Sequence, residues 1–180
     1  MLIVGDSLSA AYRLDTRQGW VALAEQQLRV EHPGFELING SVSGETSAGG
    51  LARLPALLDK HGPDWVLIEL GGNDGLRGFP LARLEANLSE MIELAQDAGA
   101  EVALMQIRIP PNYGRRYTEG FEKLYPSISD SYDVPLLPFF IEEIALDSEL
   151  MMDDGIHPNA EAQPLLADDM TDHILELLKH

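Results

Sequence analysis

No cysteine occurs anywhere in this chain. That absence removes disulfides, cysteine-bound zinc and a cysteine nucleophile from consideration. Basic residues are scarce: 12 Lys and Arg stand against 30 Asp and Glu, a formal net charge of −18. So acidic a chain lacks the basic face that phosphate contacts and counterion release require, which argues against nucleic acid and against docking on an anionic membrane. The surplus carboxylates read as a solvated surface that favours solubility. No run of about 18 apolar residues exists, so no segment is expected to span a membrane. No charged-then-apolar leader precedes the first apolar stretch either.

What is present is ample apolar material. Hydrophobic residues are 45 % of 180, enough for a sizeable core, and the length predicts a single domain over residues 1–180. Short apolar runs at 2–4, 35–40, 65–70, 101–109 and 134–140 read as five strands. Between and after them, helical apolar spacing marks 20–34, 51–64, 81–100, the later part of 110–132, and 160–178. Pro55 is expected to mark the early turns of its helix or a kink. The stretches 41–50 and 71–80, rich in small residues, read as loops. Strands alternating with helices predict an α/β protein with a parallel sheet covered on both faces, a three-layer α/β/α sandwich of flavodoxin-like type. Ligands of such sheets bind beyond the carboxyl ends of the strands.

Ser7, Gly44 and Asn73 fall just past strands one, two and three, so they are expected along one edge. A serine hydroxyl is a weak nucleophile at neutral pH and needs a base, which in turn needs an orienting partner. Five histidines are available. His32 and His61 sit in helix stops ahead of Gly and Pro, where a positive charge suits a helix C-terminus. His173 lies within the last helix and His180 ends the chain. His157, in the turn-rich "DDGIHPN", remains, with Asp154 three residues before it. Each residue also has a plainer reading. Ser7 could cap a helix, Gly44 could serve a turn, Asn73 could tolerate a left-handed backbone, and Asp154-Gly155 could be only a turn with Asn159 capping the last helix.

Taken together, "GDSLS" (5–9), Gly44 in "SVSGET", "GGND" (71–74) and "DGIHPN" (154–159) resemble, in order, the four blocks of the SGNH (GDSL-type) hydrolases. "GLARLPALL" (50–58), "ELGGNDGLRGF" (69–79), "MQIRIPPNYGRRY" (105–117) and "VPLLPFF" (134–140) extend the likeness to the family's periplasmic esterase and thioesterase branch. The resemblance implies the SGNH hydrolase fold, with Ser7 as nucleophile, His157 as base and Asp154 as its orienting acid. It implies an oxyanion hole from the Ser7 and Gly44 N–H groups and the Asn73 side chain, with Asp6 and Asp74 holding the loops. The implied substrates are acyl thioesters including acyl-coenzyme A, aryl and alkyl esters, and lysophospholipids. No cofactor or metal is expected, the chain is expected to act as a monomer, and the location is expected to be periplasmic or secreted.

Leu76, Phe79, Ile107, Ile109, Pro110 and Tyr113, with Pro111, are the candidate acyl-binding residues, although Ile107 and Ile109 could belong to the core. Gly75 and Gly78 mark 75–80 as a segment able to shift over substrate. Arg77, Arg108, Arg115 and Arg116 could receive phosphates or pair with surface carboxylates. Rival readings are a carbohydrate O-acetylesterase, a non-catalytic flavodoxin-like binding module, and a metal-dependent phosphohydrolase built on Asp6, Asp74, Asp153 and Asp154.

Overall fold

The computed structural model describes residues 1–179; His180 lies outside the described residues. Five strands, β1 (Leu2–Gly5), β2 (Ile38–Asn39), β3 (Trp65–Glu69), β4 (Glu101–Met105) and β5 (Leu136–Leu137), form one sheet in the order β2-β1-β3-β4-β5. Every pairing is parallel. A central parallel strand is covered on both faces, so its sequence is a continuous apolar run. Accordingly Leu2, Ile3 and Val4 of β1 and Val66, Leu67 and Ile68 of β3 are wholly buried.

Among the described residues six α-helices complete the layers: α1 (Trp20–Glu31), α2 (Ser47–His61), α3 (Gly72–Leu76), α4 (Leu81–Asp97), α5 (Arg115–Tyr132) and α6 (Ala162–Leu177). α1 packs against α6, while α4 packs between α2 and α5. The chain is thus an α/β protein with a five-stranded parallel sheet, as the alternation of strands and helices predicts.

The edge strands are shorter than the apolar runs that mark them. β5 pairs only through Leu136 and Leu137, because Pro135 and Pro138 flank them and neither has an N–H to give. β4 ends at Met105 rather than reaching Ile109. Beyond it Gln106 still donates its N–H to the Leu137 carbonyl at 2.9 Å, and the chain then leaves the sheet towards Pro110 and Pro111.

Two expected loops hold helix. α2 begins at Ser47, where Thr46 Oγ1 accepts from the Gly49 N–H, so Pro55 lies in the helix interior rather than near its start. The "GGND" loop folds into α3 directly after β3. Its entry needs Gly71: φ is +118°, and a Cβ there would lie 2.0 Å from the Tyr125 hydroxyl, which donates to the Leu70 carbonyl.

Sheet order brings the site together. β1 lies between β2 and β3, and Gly5 is in register with Glu69. The segments after β1, β2 and β3 therefore leave the sheet side by side, at the point where the strand order reverses.

Candidate active site

Ser7 follows β1 on a tight turn in which the Ala10 N–H reaches the Asp6 carbonyl at 3.0 Å. The buried Asp6 carboxylate accepts from the Leu8 N–H at 3.0 Å and from Asn73 Nδ2 at 3.0 Å. Glu69, the last residue of β3, is fully buried. Its Oε2 accepts from the Asp6 N–H at 3.2 Å and from Ser9 Oγ at 2.8 Å, and its Oε1 has no partner among the described residues. Burial pushes the Glu69 carboxyl well above the usual carboxylate range, and the nearby Asp6 charge adds to this. Burial likewise raises Asp6, to about 6, against its hydrogen bonds to Leu8 and Asn73. The turn under Ser7 thus rests on two buried carboxyls that compete for charge.

The second part of the site is the loop before α6. Met151 and Pro158 form an isolated antiparallel bridge, and the Met152 N–H donates to the His157 carbonyl at 2.7 Å. Asp154 Oδ1 accepts from the Ile156 and His157 N–H groups, at 2.9 and 3.0 Å. Its Oδ2 lies 2.8 Å from His157 Nδ1. Burial acts upward on Asp154, but the backbone and ring hydrogen bonds outweigh it and hold the carboxyl down, at about 2. Asn159 has the capping role its position also allows: its Oδ1 accepts from the Glu161 and Ala162 N–H groups.

The two parts meet where His157 Nε2 lies 2.8 Å from Ser7 Oγ. With Asp154 ionised, the proton of the imidazole belongs on Nδ1, leaving Nε2 to accept from the serine. Gly44 and Asn73 stand beside Ser7 on the wall of one cavity. Gly44 has φ +79°, which an L side chain rarely adopts, and its carbonyl accepts from Arg77 Nη2 at 3.3 Å. Asn73 uses one amide hydrogen on Asp6 and, since a primary amide has two, keeps a second. Asp74 does not enter the cavity: it is buried and accepts from the Ser47 N–H and Oγ, at 2.8 and 2.7 Å, tying α3 to α2.

The cavity has a volume of about 420 Å³. Leu76, Ile107, Ile109 and Pro110 line it as expected. Ile107 and Ile109 are also buried, so a residue past the end of β4 serves both core and cavity wall. Phe79 and Tyr113, expected beside them, do not line it. The Tyr117 hydroxyl donates to the Phe79 carbonyl at 2.6 Å, and the Phe79 ring lies under the Arg83 guanidinium. Tyr113 donates to the Leu76 carbonyl at 2.8 Å. These tyrosines pin the segment after α3 from outside instead of lining the groove. Gly75 is a packing position, since a Cβ there would lie 2.7 Å from Ile109 Cγ2.

The arginines are largely engaged. Arg108, at the cavity, pairs with Glu142, and Arg115 pairs with Glu119. Arg115 and Arg116 line a separate hollow with Tyr113 and Tyr117. Among the described residues no group of three or more His, Asp or Glu is placed to hold a metal ion.

Sequence reasoning missed part of the wall. Phe139, from the end of the 134–140 run, and Ile141, Ala145 and Met151, from a segment with no regular apolar period, line the cavity. It also missed Tyr12, whose ring lies tilted against that of His157, and Glu69. For Glu69 a signal existed: a carboxylate inside the apolar run "WVLIEL".

A family model described as GDSL-like Lipase/Acylhydrolase matches residues 3–164. The chain belongs to this hydrolase family. It is 51 % identical over 180 residues to the arylesterase of Vibrio mimicus, covering all of this chain and 88 % of that one. It is equally identical over the same length to the thioesterase 1/protease 1/lysophospholipase L1 of Escherichia coli strain K12, covering 85 % of that protein. Among solved structures, the psychrotrophic esterase EstA from Pseudoalteromonas sp., inhibited by monoethylphosphonate, superposes with a TM-score of 0.97 at 49 % identity. That match covers 99 % of this chain and 98 % of the other. The family assignment and the sheet agree on an SGNH hydrolase fold, and no helix among the described residues is long and apolar enough to cross a membrane.

Proposed function

We propose that this chain hydrolyses carboxylic esters and acyl thioesters through an acyl-enzyme on Ser7. The observation that carries the reading is the unbroken chain from Ser7 Oγ to His157 Nε2 and from His157 Nδ1 to Asp154 Oδ2, each link 2.8 Å, on the wall of an apolar cavity. Ser7 Oγ attacks the acyl carbon as His157 Nε2 takes its proton, and Asp154 stabilises the imidazolium. Charge develops on the acyl oxygen. The N–H groups of Ser7 and Gly44 and the second Asn73 amide hydrogen are the donors for it, and such donors matter most in the transition state. His157 returns the proton to the departing alcohol or thiol. Water, deprotonated by His157, then releases the acid.

The substrate class follows from the walls. Leu76, Ile107, Ile109 and Pro110 offer an acyl chain an apolar bed, whereas an acetyl group would fill a small part of about 420 Å³. This favours longer acyl groups over the O-acetyl esters of carbohydrates. Aryl esters, lysophospholipids and acyl-coenzyme A are the expected substrates, in keeping with the names of the relatives. The phosphohydrolase reading loses its carboxylates, because Asp74 is committed to Ser47 and Asp154 to His157. The chain is read as one domain acting as a monomer, periplasmic or secreted. Sedimentation and fractionation of the expressing cell check the last two points.

The test is covalent labelling with an organophosphonate, followed by turnover across a chain-length series of aryl esters and acyl thioesters. Labelling at Ser7 and a preference for chains longer than acetyl are expected. Labelling elsewhere would falsify the nucleophile, and a sharp preference for acetyl would favour the carbohydrate esterase.

A further inference from the structure

Three non-glycine residues among those described have positive φ: Ala11 and Arg13, both +56°, and Asp133, +52°. Asp133 closes the C-terminal end of α5, where a short polar residue in this conformation is ordinary. Ala11 and Arg13 close no helix, and each has a Cβ that makes the left-handed region costly. Such residues persist only where their surroundings over-determine them. Here the surroundings are visible. Ala11 is buried, and its methyl fits because Gly19 has none: a Cβ on Gly19 would lie 2.7 Å from it. The Leu14 N–H closes the turn on the Ala11 carbonyl at 3.0 Å.

Between these two residues stands Tyr12. Its ring centroid is 4.3 Å from that of His157, at an interplanar angle of 33°, and the Arg13 guanidinium lies 5.1 Å from the Tyr12 centroid. The in-plane contacts of the imidazole are taken by Ser7 on Nε2 and Asp154 on Nδ1. Neither resists a tilt of the ring out of its plane. A flat side chain against the imidazole face does.

We infer that Tyr12 is a positioning residue for His157, its ring set against the imidazole by the left-handed residues on either side. This rests on the reading of His157 as the base. The aromatic face, not the hydroxyl, performs the task, since among the described residues no hydrogen bond of the Tyr12 hydroxyl helps to place the ring. The base must meet Ser7 Oγ, then the leaving group, then water, with only small rotations. A wall on its face keeps Nε2 on that arc. Because displacement by about 1 Å can cost on the order of 10²-fold in rate, a partial loss of this wall has a readable effect.

The experiment compares Tyr12→Phe, Tyr12→Leu and Tyr12→Ala with the parent on a short neutral aryl ester, each checked for folding by its thermal transition. Tyr12 also lines the cavity, so kcat and KM are read separately. The expected result is that Leu and Ala lower kcat by about tenfold, inside the ~10²-fold scale of small misplacements, with KM little changed. Phe, which keeps the ring, should recover most of the rate. The rate of phosphonate labelling should follow the same order, because it needs the Ser7–His157 pair but no acyl chain. If Leu matched Phe, the flat ring would be irrelevant and the inference wrong. If the change fell on KM with kcat intact, Tyr12 would be a substrate wall only, which also overturns it. Ser7→Ala in the same assay separates the two levels: an active Ser7→Ala enzyme removes the reading of the site as well, whereas an inactive one beside unaltered Tyr12 variants removes only the role of Tyr12.

Discussion

Ser7 sits on a turn whose fastenings come from far along the chain: Glu69 from β3, Asn73 from α3, and Asn39 from β2, whose Nδ2 donates to the Ser9 carbonyl at 2.8 Å. The loop of Asp154 and His157 is fastened by its own neighbours, with Asp154, Ile156, His157, Asn159 and the Met151–Pro158 bridge all inside one short stretch. Their electrostatics differ in the same sense. Burial drives the carboxyls under Ser7 upward, while hydrogen bonds outweigh burial and hold Asp154 down. The proposed nucleophile therefore depends on the assembled sheet, and the proposed base depends mainly on a self-contained turn.

The largest expected effect tests whether the two parts form one unit. Ser7→Ala should lower kcat by on the order of 10⁴-fold or more and abolish phosphonate labelling, and Asp154→Asn should lower kcat by roughly 10⁴-fold while the protein stays folded. If Asp154→Asn kept full activity in a steady-state assay, another group would have to orient His157.

Next comes the proposed oxyanion donor that leans on the buried side. Asn73→Ala should reduce kcat by roughly 10²–10³-fold with a smaller change in KM. A change confined to KM would make Asn73 a ground-state binding residue.

A smaller effect sharpens the contrast between the carboxyls. A carboxyl whose folded pKa lies above its unfolded value binds more protons in the folded state, so stability falls as pH rises through that window and increases as pH is lowered. For Asp6, raised from 3.8 to about 6, the window runs from about pH 6 down to about pH 4. The thermal midpoint should therefore rise as the protein is taken from neutral pH towards pH 5, and Glu69→Gln should flatten that rise. Glu69→Ala leaves the Asp6 N–H and the Ser9 hydroxyl without their acceptor and should cost about 1–3 kcal/mol at neutral pH by chemical denaturation. Asp154 behaves oppositely: its contribution is present above the unfolded value of 3.8 and is lost as pH falls from there through about 2, below the window of Asp6.

The smallest effect separates local from overall charge. Arg108 and Arg115 are paired with carboxylates, which leaves the net −18 to repel a polyanionic substrate at long range. The Debye length falls from about 30 Å at 0.01 M salt to about 10 Å at 0.1 M. Over that range kcat/KM for an acyl-coenzyme A should rise while that for a neutral aryl ester barely moves. A steady fall for the thioester alone would mean that the arginines govern the encounter.

The sequence by itself determined what is local. Alternating apolar runs and helical periods reported the layers, because burial on both faces of a parallel sheet and on one face of a helix leaves different spacings. Asp154 and His157 could be paired on paper because three residues of turn bring them together. What lies beyond the site's motifs was settled by the tertiary structure. Only the pairing of β1 with β3 shows that Glu69, an acid in an apolar strand, sits under the Ser7 turn. Packing alone turned Phe79 and Tyr113 away from the cavity and brought Phe139 into it, and it brought in Ile141 and Ala145 from an irregular segment that carries no period to read. The left-handed backbone at Ala11 and Arg13 has no signature in residue type. It fits in the space beside Gly19, and the residue it presents, Tyr12, meets a neighbour 145 positions later in the chain.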